Sequence, residues 1–314
     1  MDRAPLMPIT MLFAADQAGL PYGRYALDHR VLVESQLRTA KAFDFDHVSA
    51  ITETREAPDC GAAVRYFDDQ PYAMDEGHAV LGYKSALDTL ASPDPYTAPH
   101  MSDRLRALAE LKARAGGDRI VEGWVEGACG AGADLRGINT LMVDFHDDPE
   151  FVRRLFDFVV DLGIRFGRAQ VEAGADVVGI GDPAASLVGP RIYETFVWPY
   201  EKKLADGLRE AGARVRLHIC GNTRRILGSM GRLGCDIVDI DSMVSLADAR
   251  AAMGPKQVLL GNIDPVRVLH DGSPESVRAA MEYCARMAGP AFIAGAGCEV
   301  PRGTPAANLR AMRL

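Results

Sequence analysis

Residues 214–222 read RVRLHICGN, a short β-rich run that ends in Gly and Asn. Similar runs recur through the C-terminal two-thirds of the chain: RIVEGWVEG (119–127), ADVVGIGDP (175–183), DIVDIDS (236–242), QVLLGNIDP (257–265) and AFIAGAGCEVP (291–301). Between the runs lie stretches with the apolar spacing of helices, at 148–172, 190–211, 224–233, 245–253, 274–288 and 304–313. Strands that alternate with helices over short links predict parallel βαβ units.

The first third of the chain decides between an open doubly wound sheet and a closed barrel. It offers two more strand candidates, MPITMLFAAD (7–16) and FDHVSAI (45–51), with a helix predicted at 27–43 between them. Eight strands favour an α/β fold of the (β/α)8 TIM-barrel class, as a single domain over 1–314. Residues 59–100 break the alternation with a predicted hairpin and a Pro-rich loop, and we interpret them as an insertion near the barrel mouth.

Composition and charge argue against several classes of function. The 314 residues are 48% apolar and 25% charged, which is ordinary for a globular protein. A net charge of −8 argues against non-specific nucleic-acid binding and against a basic membrane patch. The N-terminus has no secretory-signal pattern, and there is no apolar run of about 18 residues that could span a membrane. We therefore expect a cytoplasmic protein whose six cysteines are reduced.

Several common motifs are missing from the sequence. No G-x-G-x-x-G follows a strand, and neither a G-x-x-x-x-G-K-[ST] phosphate loop nor a G-x-S-x-G nucleophile elbow is present. The Asp-x-His-x-x-Gly signature of a base-off corrinoid carrier is also missing. If a corrinoid is involved, we expect another polypeptide to hold it.

The strongest local feature is the pair His218 and Cys220, which lie at the end of the predicted strand in residues 214–222. Side chains two residues apart on a strand share a face, so the two project together. Cys298 follows another strand end, and in a barrel the carboxyl ends of the strands converge on one rim. One His and two Cys form a three-ligand zinc set with an open fourth position. The alternative is a satisfied core histidine beside two buried thiols.

Other polar residues at strand ends are candidates for the same site. The carboxylates there are Glu122, Glu126, Asp182, Asp241, Asp264 and Glu299. Most strand-end carboxylates cap a helix, but Glu126 or Asp182 could supply a fourth zinc ligand or orient a ligand. Asn222 could bond a substrate or close the turn after the strand. Cys129 is a second-ranked thiol candidate, whereas Cys60, Cys235 and Cys284 are predicted to be structural.

These motifs together resemble the uroporphyrinogen decarboxylase superfamily, in particular its zinc-dependent, corrinoid-linked methyltransferases. The most specific segments are EGWVEGACGAGADLRG (122–137), HICGNT (218–223), GNIDP (261–265) and GAGCEVPRGTP (295–305). The resemblance implies zinc held by His218, Cys220 and Cys298 and a corrinoid (cobalamin) supplied by a partner protein. It also implies methyl transfer between that corrinoid and a thiol or a methylated small molecule, and allows a homodimer.

Two alternatives remain on the same barrel. A uroporphyrinogen decarboxylase-type lyase needs cations for an acidic substrate, yet the stretch LFAADQAGLPYGRY (12–25) lacks the first Arg of the decarboxylase pattern. That alternative requires four arginines to converge: Arg24, Arg65, Arg136 and Arg302. The other alternative is a non-catalytic zinc-binding partner of a corrinoid protein, for which four protein ligands to zinc are expected.

Overall fold

A computed structural model of the chain describes residues 3–53 and 56–314. Within these residues, seven strands form one parallel sheet in the order β1-β4-β5-β6-β7-β8-β9, and two form a separate antiparallel pair. The strands are β1 (His47–Ser49), β2 (Val64–Arg65), β3 (Ala73–Met74), β4 (Ile120–Glu126), β5 (Val177–Gly181), β6 (Arg214–His218), β7 (Ile237–Asp239), β8 (Val258–Ile263) and β9 (Phe292–Ala296).

Helices connect successive strands of the large sheet. The α-helices are α1 (Leu12–Ala18), α2 (Tyr22–Leu27), α3 (His29–Phe43), α4 (Glu56–Asp59), α5 (Pro99–Ala115), α6 (Ala128–Arg136), α7 (Ile138–Asp147), α8 (Pro149–Glu172), α9 (Gly189–Ile192), α10 (Trp198–Glu210), α11 (Leu227–Arg232), α12 (Leu246–Met253), α13 (Pro274–Ala288) and α14 (Ala306–Ala311). Three 3-10 turns lie at Glu76–His78, Lys84–Asp88 and Pro183–Ser186, and π-helical turns lie at Tyr193–Val197 and Pro265–His270.

The alternation predicted for the C-terminal two-thirds is confirmed, because each of the six β-rich runs contains one of the strands β4 to β9. The predicted helix at 274–288 matches α13, which begins with Pro274 after a capping box formed by Ser273 and Ser276. The predicted helix at 148–172 matches α8, whose N-cap Asp148 accepts a hydrogen bond from the Phe151 backbone. Local sequence signals were sufficient to predict these two helices, because the cap residues and the apolar spacing indicate the same helix bounds.

The strand predicted at 7–16 is wrong. Leu6 forms only an isolated parallel bridge with Ala294 of β9, and the helix α1 begins at Leu12. The flanking Pro5 and Pro8 have no N–H to donate to a ladder, which limits strand formation to this short stretch. Some of the apolar residues of 7–16 therefore belong to α1, which packs against α3.

The short N-terminal segment nevertheless touches both edges of the large sheet. The Leu6 carbonyl accepts a hydrogen bond from the Asp46 backbone N–H, next to β1, at 3.0 Å. On the other side, the Met7 N–H donates to the Ala294 carbonyl at 2.9 Å. The sheet is therefore curled, because one segment bonds to the residues beside its first strand and to its last strand.

Residues 59–100 contain the predicted hairpin, formed by β2 and β3. The Arg302 guanidinium attaches this hairpin to the body of the molecule by ion pairs with Asp69 and with Asp16. Tyr72 and Met74, from the second arm of the hairpin, reach a cavity at the carboxyl ends of the sheet strands. The hairpin thus forms part of the wall around that end of the sheet.

Candidate metal centre

The curled sheet brings His218, Cys220 and Cys298 together, although 78 residues separate the two cysteines. The His218 Nε2 lies 3.1 Å from Cys220 Sγ and 3.8 Å from Cys298 Sγ, and the two sulfurs are 3.8 Å apart. All three ligand atoms lie within 4.8 Å of one another. The donor set fits zinc, since one imidazole nitrogen and two sulfurs are ligands that zinc prefers.

The three side chains open onto a cavity of about 370 Å³ at the carboxyl ends of the strands. This is the size of a small-molecule site. Its wall combines apolar and aromatic side chains with carboxylates from several elements: Ile9, Met11, Ile51, Thr52, Glu53, Tyr72, Met74, Trp124, Glu126, Asp134, Gly181, Pro183 and Glu299. A substrate in this cavity would contact the candidate ligands directly.

His218 is fixed by the carboxylate of Asp239, the last residue of β7. The His218 Nδ1 lies 2.9 Å from Asp239 Oδ2, and an ionised carboxylate only accepts, so Nδ1 carries the hydrogen. Burial raises the pKa of Asp239, but Arg216 and His218 outweigh it and lower the pKa below its usual range. The Nδ1–H···carboxylate bond leaves Nε2 directed at the two sulfurs, as in many zinc sites.

The pKa values at the site reflect this crowding of polar groups. Burial lowers the pKa of His218, but hydrogen bonds with Asp239 and Cys298 raise it to about 10. Hydrogen bonding with Cys220, and then the charge of His218, lowers the pKa of the Cys298 thiol. The hydrogen bond with Cys298, and then burial, raises the pKa of Cys220. These opposite shifts follow from the short distances between His218, Cys220 and Cys298.

Sequence reasoning missed Arg216 and Asp239 beneath the candidate ligands and included Glu122 only as one of several strand-end carboxylates. Arg216 is fully buried, forms ion pairs with Asp239 and Glu122, and precedes His218 by two residues on β6. The signal was available, because residues two apart on a strand share a face and a buried arginine requires counter-charges. The positions of these counter-charges, Asp239 on β7 and Glu122 on β4, could not be inferred without the strand register.

The two candidate carboxylates lie in different places. Glu126 ends β4 and lines the cavity, with its backbone N–H donating to the Glu56 carboxylate at 3.0 Å. The fully buried Asp182 carboxylate instead accepts the backbone N–H groups of Cys129 and Gly130, at 3.0 and 2.8 Å. Asp182 therefore caps α6 rather than the turn that follows it. Burial raises the pKa of Asp182 to about 7.

Asn222 is exposed, and its Oδ1 accepts a hydrogen bond from the Arg224 backbone N–H at 3.3 Å, so it contributes to the turn after β6. Cys129 lies fully buried in α6, outside the cluster of three ligands, and burial raises its pKa. The cysteines predicted to be structural are all buried: Cys60, Cys235 and Cys284.

The four arginines that a decarboxylase site would require do not line the cavity. Arg136, the last residue of α6, forms an ion pair with Asp144 of α7. Arg302 forms ion pairs with Asp16 and Asp69. Arg24 is largely exposed beside Asp28, and Arg65 is exposed on β2. Their separation does not favour the decarboxylase alternative.

The curled parallel α/β sheet places the His-Cys-Cys cluster at its carboxyl edge, which is the end where α/β-barrel enzymes have their active sites. The family model described as uroporphyrinogen decarboxylase (URO-D) matches residues 1–313. The chain therefore belongs to the uroporphyrinogen decarboxylase family, which confirms the resemblance at the family level.

Curated relatives include both activities associated with this family. The chain is 38% identical over 165 residues to the methylcobamide:CoM methyltransferase MtbA of Methanosarcina mazei, covering 52% of this chain and 48% of the relative. It is 37% identical over 149 residues to a uroporphyrinogen decarboxylase of Nocardia farcinica, covering 48% of this chain and 41% of the relative. In both comparisons the match spans less than half of the relative's own length.

Solved structures support the fold over nearly the whole chain. A methyltransferase from Methanosarcina mazei matches with a TM-score of 0.85 and 20% identity, over 99% of this chain and 93% of that chain. The two proteins therefore share their fold. Among the residues that the structure describes, no helix combines the length and apolar character needed to cross a membrane.

Proposed function

We propose that this chain is a zinc-dependent methyltransferase that moves a methyl group between a corrinoid on a partner protein and a small molecule. The small molecule is a thiol acceptor or a methylated donor. The cluster of His218, Cys220 and Cys298 at the cavity carries this proposal, because the decarboxylase alternative gives these three residues no role. Among the described residues the cluster has three ligands, which favours a catalytic site over a saturated structural one.

His218, Cys220 and Cys298 would hold the metal. Zinc bound there would keep a substrate sulfur as a thiolate at neutral pH, or polarise the oxygen of a methylated donor. In the thiol direction, a sulfur–carbon bond forms to the methyl group while the cobalt–carbon bond breaks. The electron pair of that bond stays on the cobalt, which is reduced from cobalt(III) to cobalt(I).

The chain's own residues prepare the cavity for this reaction. Asp239 fixes the His218 ring so that Nε2 faces the sulfurs. The Glu299 carboxylate accepts the backbone N–H groups of Met11 and Leu12, at 3.2 and 2.9 Å, and so holds α1 against the residue next to Cys298. For Glu126 and Asp182 we retain roles near the ligands, and for Asn222 a substrate contact, as proposals that substitution can test.

The same proposal includes the wider architecture. We infer that the segment around Leu6 completes an eight-membered ring with the seven sheet strands, as a single (β/α)8 domain over 1–314. Residues 59–100 are then an insertion that helps to shape the mouth. A reducing, cytoplasmic location suits ligands that must remain thiolates, and a homodimer is the assembly we expect from the family.

Metal analysis and a methyl-transfer assay test the function. Protein purified under reducing conditions is expected to hold one zinc per chain. It should demethylate free methylcobalamin with a thiol or, when cobalamin reduced chemically to cobalt(I) is supplied, form methylcobalamin from a methoxylated donor. Cys298→Ser should lose both metal and activity. Cys284→Ser is the matched control, since Cys284 is a buried thiol that does not line the cavity. Metal-free wild-type protein, or transfer that a chelator leaves unchanged, would contradict the proposal.

A further inference from the structure

A buried network of three charges lies under the candidate metal ligands. Arg216, Asp239 and Glu122 are at most 3% exposed, and they come from β6, β7 and β4. The Arg216 Nη2 lies 2.7 Å from Asp239 Oδ2, and its Nη1 lies 2.9 Å from Glu122 Oε1. One guanidinium therefore bridges two carboxylates across the interior of the sheet.

The network continues to the cavity wall. The other Glu122 oxygen accepts a hydrogen bond from Trp124 Nε1 at 3.1 Å, and the same indole N–H also donates to Ser49 Oγ at 3.0 Å. The Arg216 guanidinium lies 5.1 Å from the centre of the Trp124 ring, within cation–π distance. The Trp124 and His218 rings in turn pack edge to face, with their centres 6.4 Å apart. The guanidinium is thus held on both its edge and its face.

Asp239 is where this network meets the ligands. Its Oδ2 accepts from His218 Nδ1 at 2.9 Å and from Arg216 Nε and Nη2 at 3.0 and 2.7 Å, while Oδ1 accepts from Arg216 Nε at 2.9 Å. A planar guanidinium that bonds both oxygens fixes the plane of a carboxylate, which an ammonium group cannot do. The plane of Asp239 in turn sets the direction of His218 Nε2.

We infer that Arg216 and Glu122 are positioning residues of the metal centre, acting on His218 through Asp239. Buried ion pairs are often no more stabilising than apolar residues of the same volume, so stability alone does not account for this network. Residues that orient a histidine ligand commonly change metal affinity when they are replaced. The inference rests on the proposed function only in assuming that the three ligands bind a metal.

The test measures metal affinity and ligand geometry independently of methyl transfer. Zinc affinity is obtained by competition with a chromophoric chelator, and the Co2+-substituted protein reports geometry through its absorption bands. Arg216→Met is expected to weaken zinc binding by about 10- to 100-fold and to shift the Co2+ bands. Glu122→Gln should weaken it less, because only one arm of the guanidinium loses its charged partner.

Arg136→Met is the matched control for the loss of a buried ion pair. Arg136 Nε lies 2.7 Å from Asp144 Oδ2, and its guanidinium lies 5.3 Å from the centre of the Phe151 ring, outside the cavity. This variant should lose stability as Arg216→Met does, yet keep wild-type zinc affinity and Co2+ bands.

Two results separate this inference from the proposed function. Wild-type protein that binds no metal overturns the proposed function. Wild-type protein that binds zinc, with Arg216→Met and Glu122→Gln binding it equally well, overturns only the positioning role. If Arg216→Met does not fold, Glu122→Gln and Arg216→Lys decide the question, because both retain polar groups in the buried site.

Discussion

His218 shows at the residue scale how one side chain joins the interior of the sheet to the cavity. Its Nδ1 bonds to Asp239 inside the sheet, while its Nε2 faces Cys220 and Cys298 at the rim. Rotation of the ring would break both sets of contacts at once. The candidate ligand is therefore held by Asp239, a residue that does not line the cavity.

His47 is a second buried histidine, and its pKa is shifted in the direction opposite to that of His218. It lies on β1, is 2% exposed, and its Nδ1 has no hydrogen-bond partner among the described residues. Burial lowers the pKa of His47 from 6.5 to about 4. The folded protein therefore holds this imidazole neutral, whereas the unfolded chain would protonate it in mild acid.

This difference predicts a dependence of stability on pH. Well above pH 6.5 the histidine is neutral in both states and contributes no pH dependence to stability. As the pH falls towards 4, the unfolded state gains a proton that the folded state does not, so the wild type should lose about 3 kcal/mol relative to His47→Leu. Urea unfolding of the two metal-free proteins between pH 7 and pH 4.5 measures it. Parallel acid dependence in both would exclude His47 as the source.

At the scale of elements, the cap of α6 comes from a different βα unit. The Asp182 carboxylate, which follows β5, accepts the first free N–H groups of a helix that follows β4. Glu299 does the same for α1 from the end of β9. These carboxylates hold neighbouring loops together at the rim, where the candidate ligands lie.

Asp182→Asn tests whether this residue is a cap or part of the metal centre. The amide nitrogen cannot accept the second N–H, so the free energy of unfolding should fall by about 1–3 kcal/mol. If Asp182 acts only as a cap, the zinc content should stay at the wild-type level. A variant that loses zinc while remaining folded would instead support the role near the ligands that the sequence suggested.

Arg302 attaches the β2–β3 hairpin together with two backbone N–H groups of α2, those of Tyr22 and Gly23, which donate to Asp69 and Asp68. Arg302 pairs with Asp69 in the hairpin and with Asp16 in α1. We expect Arg302→Gln to loosen the hairpin and to speed proteolytic cleavage within 64–74, with a higher KM, because Tyr72 and Met74 line the cavity. Limited proteolysis followed by mass spectrometry measures this. Arg313→Gln, which breaks a surface pair with Asp44, serves as the control. Equal cleavage in both variants would contradict the prediction.

For the whole molecule, the proposed metal should link binding to stability. The candidate ligands lie at and just after the carboxyl ends of β6 and β9, so only the folded chain brings them together. A ligand at 100 times its dissociation constant stabilises the folded state by about 2.7 kcal/mol. The Tm should therefore rise with free zinc in the wild type and in Cys284→Ser, but not in His218→Ala. A Tm that is insensitive to zinc in the wild type would contradict the proposed site.

The sequence determined the elements, because the information that specifies them is local. Six strand runs, the helix at 274–288 and the placement of His218 with Cys220 follow from spacing and residue type alone. The strand predicted at 7–16 was wrong because local information is ambiguous there. Its apolar pattern fits a strand or a buried helix equally well, and Pro5 and Pro8 restrict its pairing with the sheet.

Only the tertiary structure decided how distant residues meet. The curl of the sheet brings Cys298 to within 3.8 Å of Cys220, and strand register places Asp239 and Glu122 around Arg216. It also assigned Asp182 to the α6 cap and left Glu126 in the cavity wall. The physical reason is that hydrogen bonds and ion pairs depend on the distance between atoms in space, whereas sequence patterns report only separation along the chain.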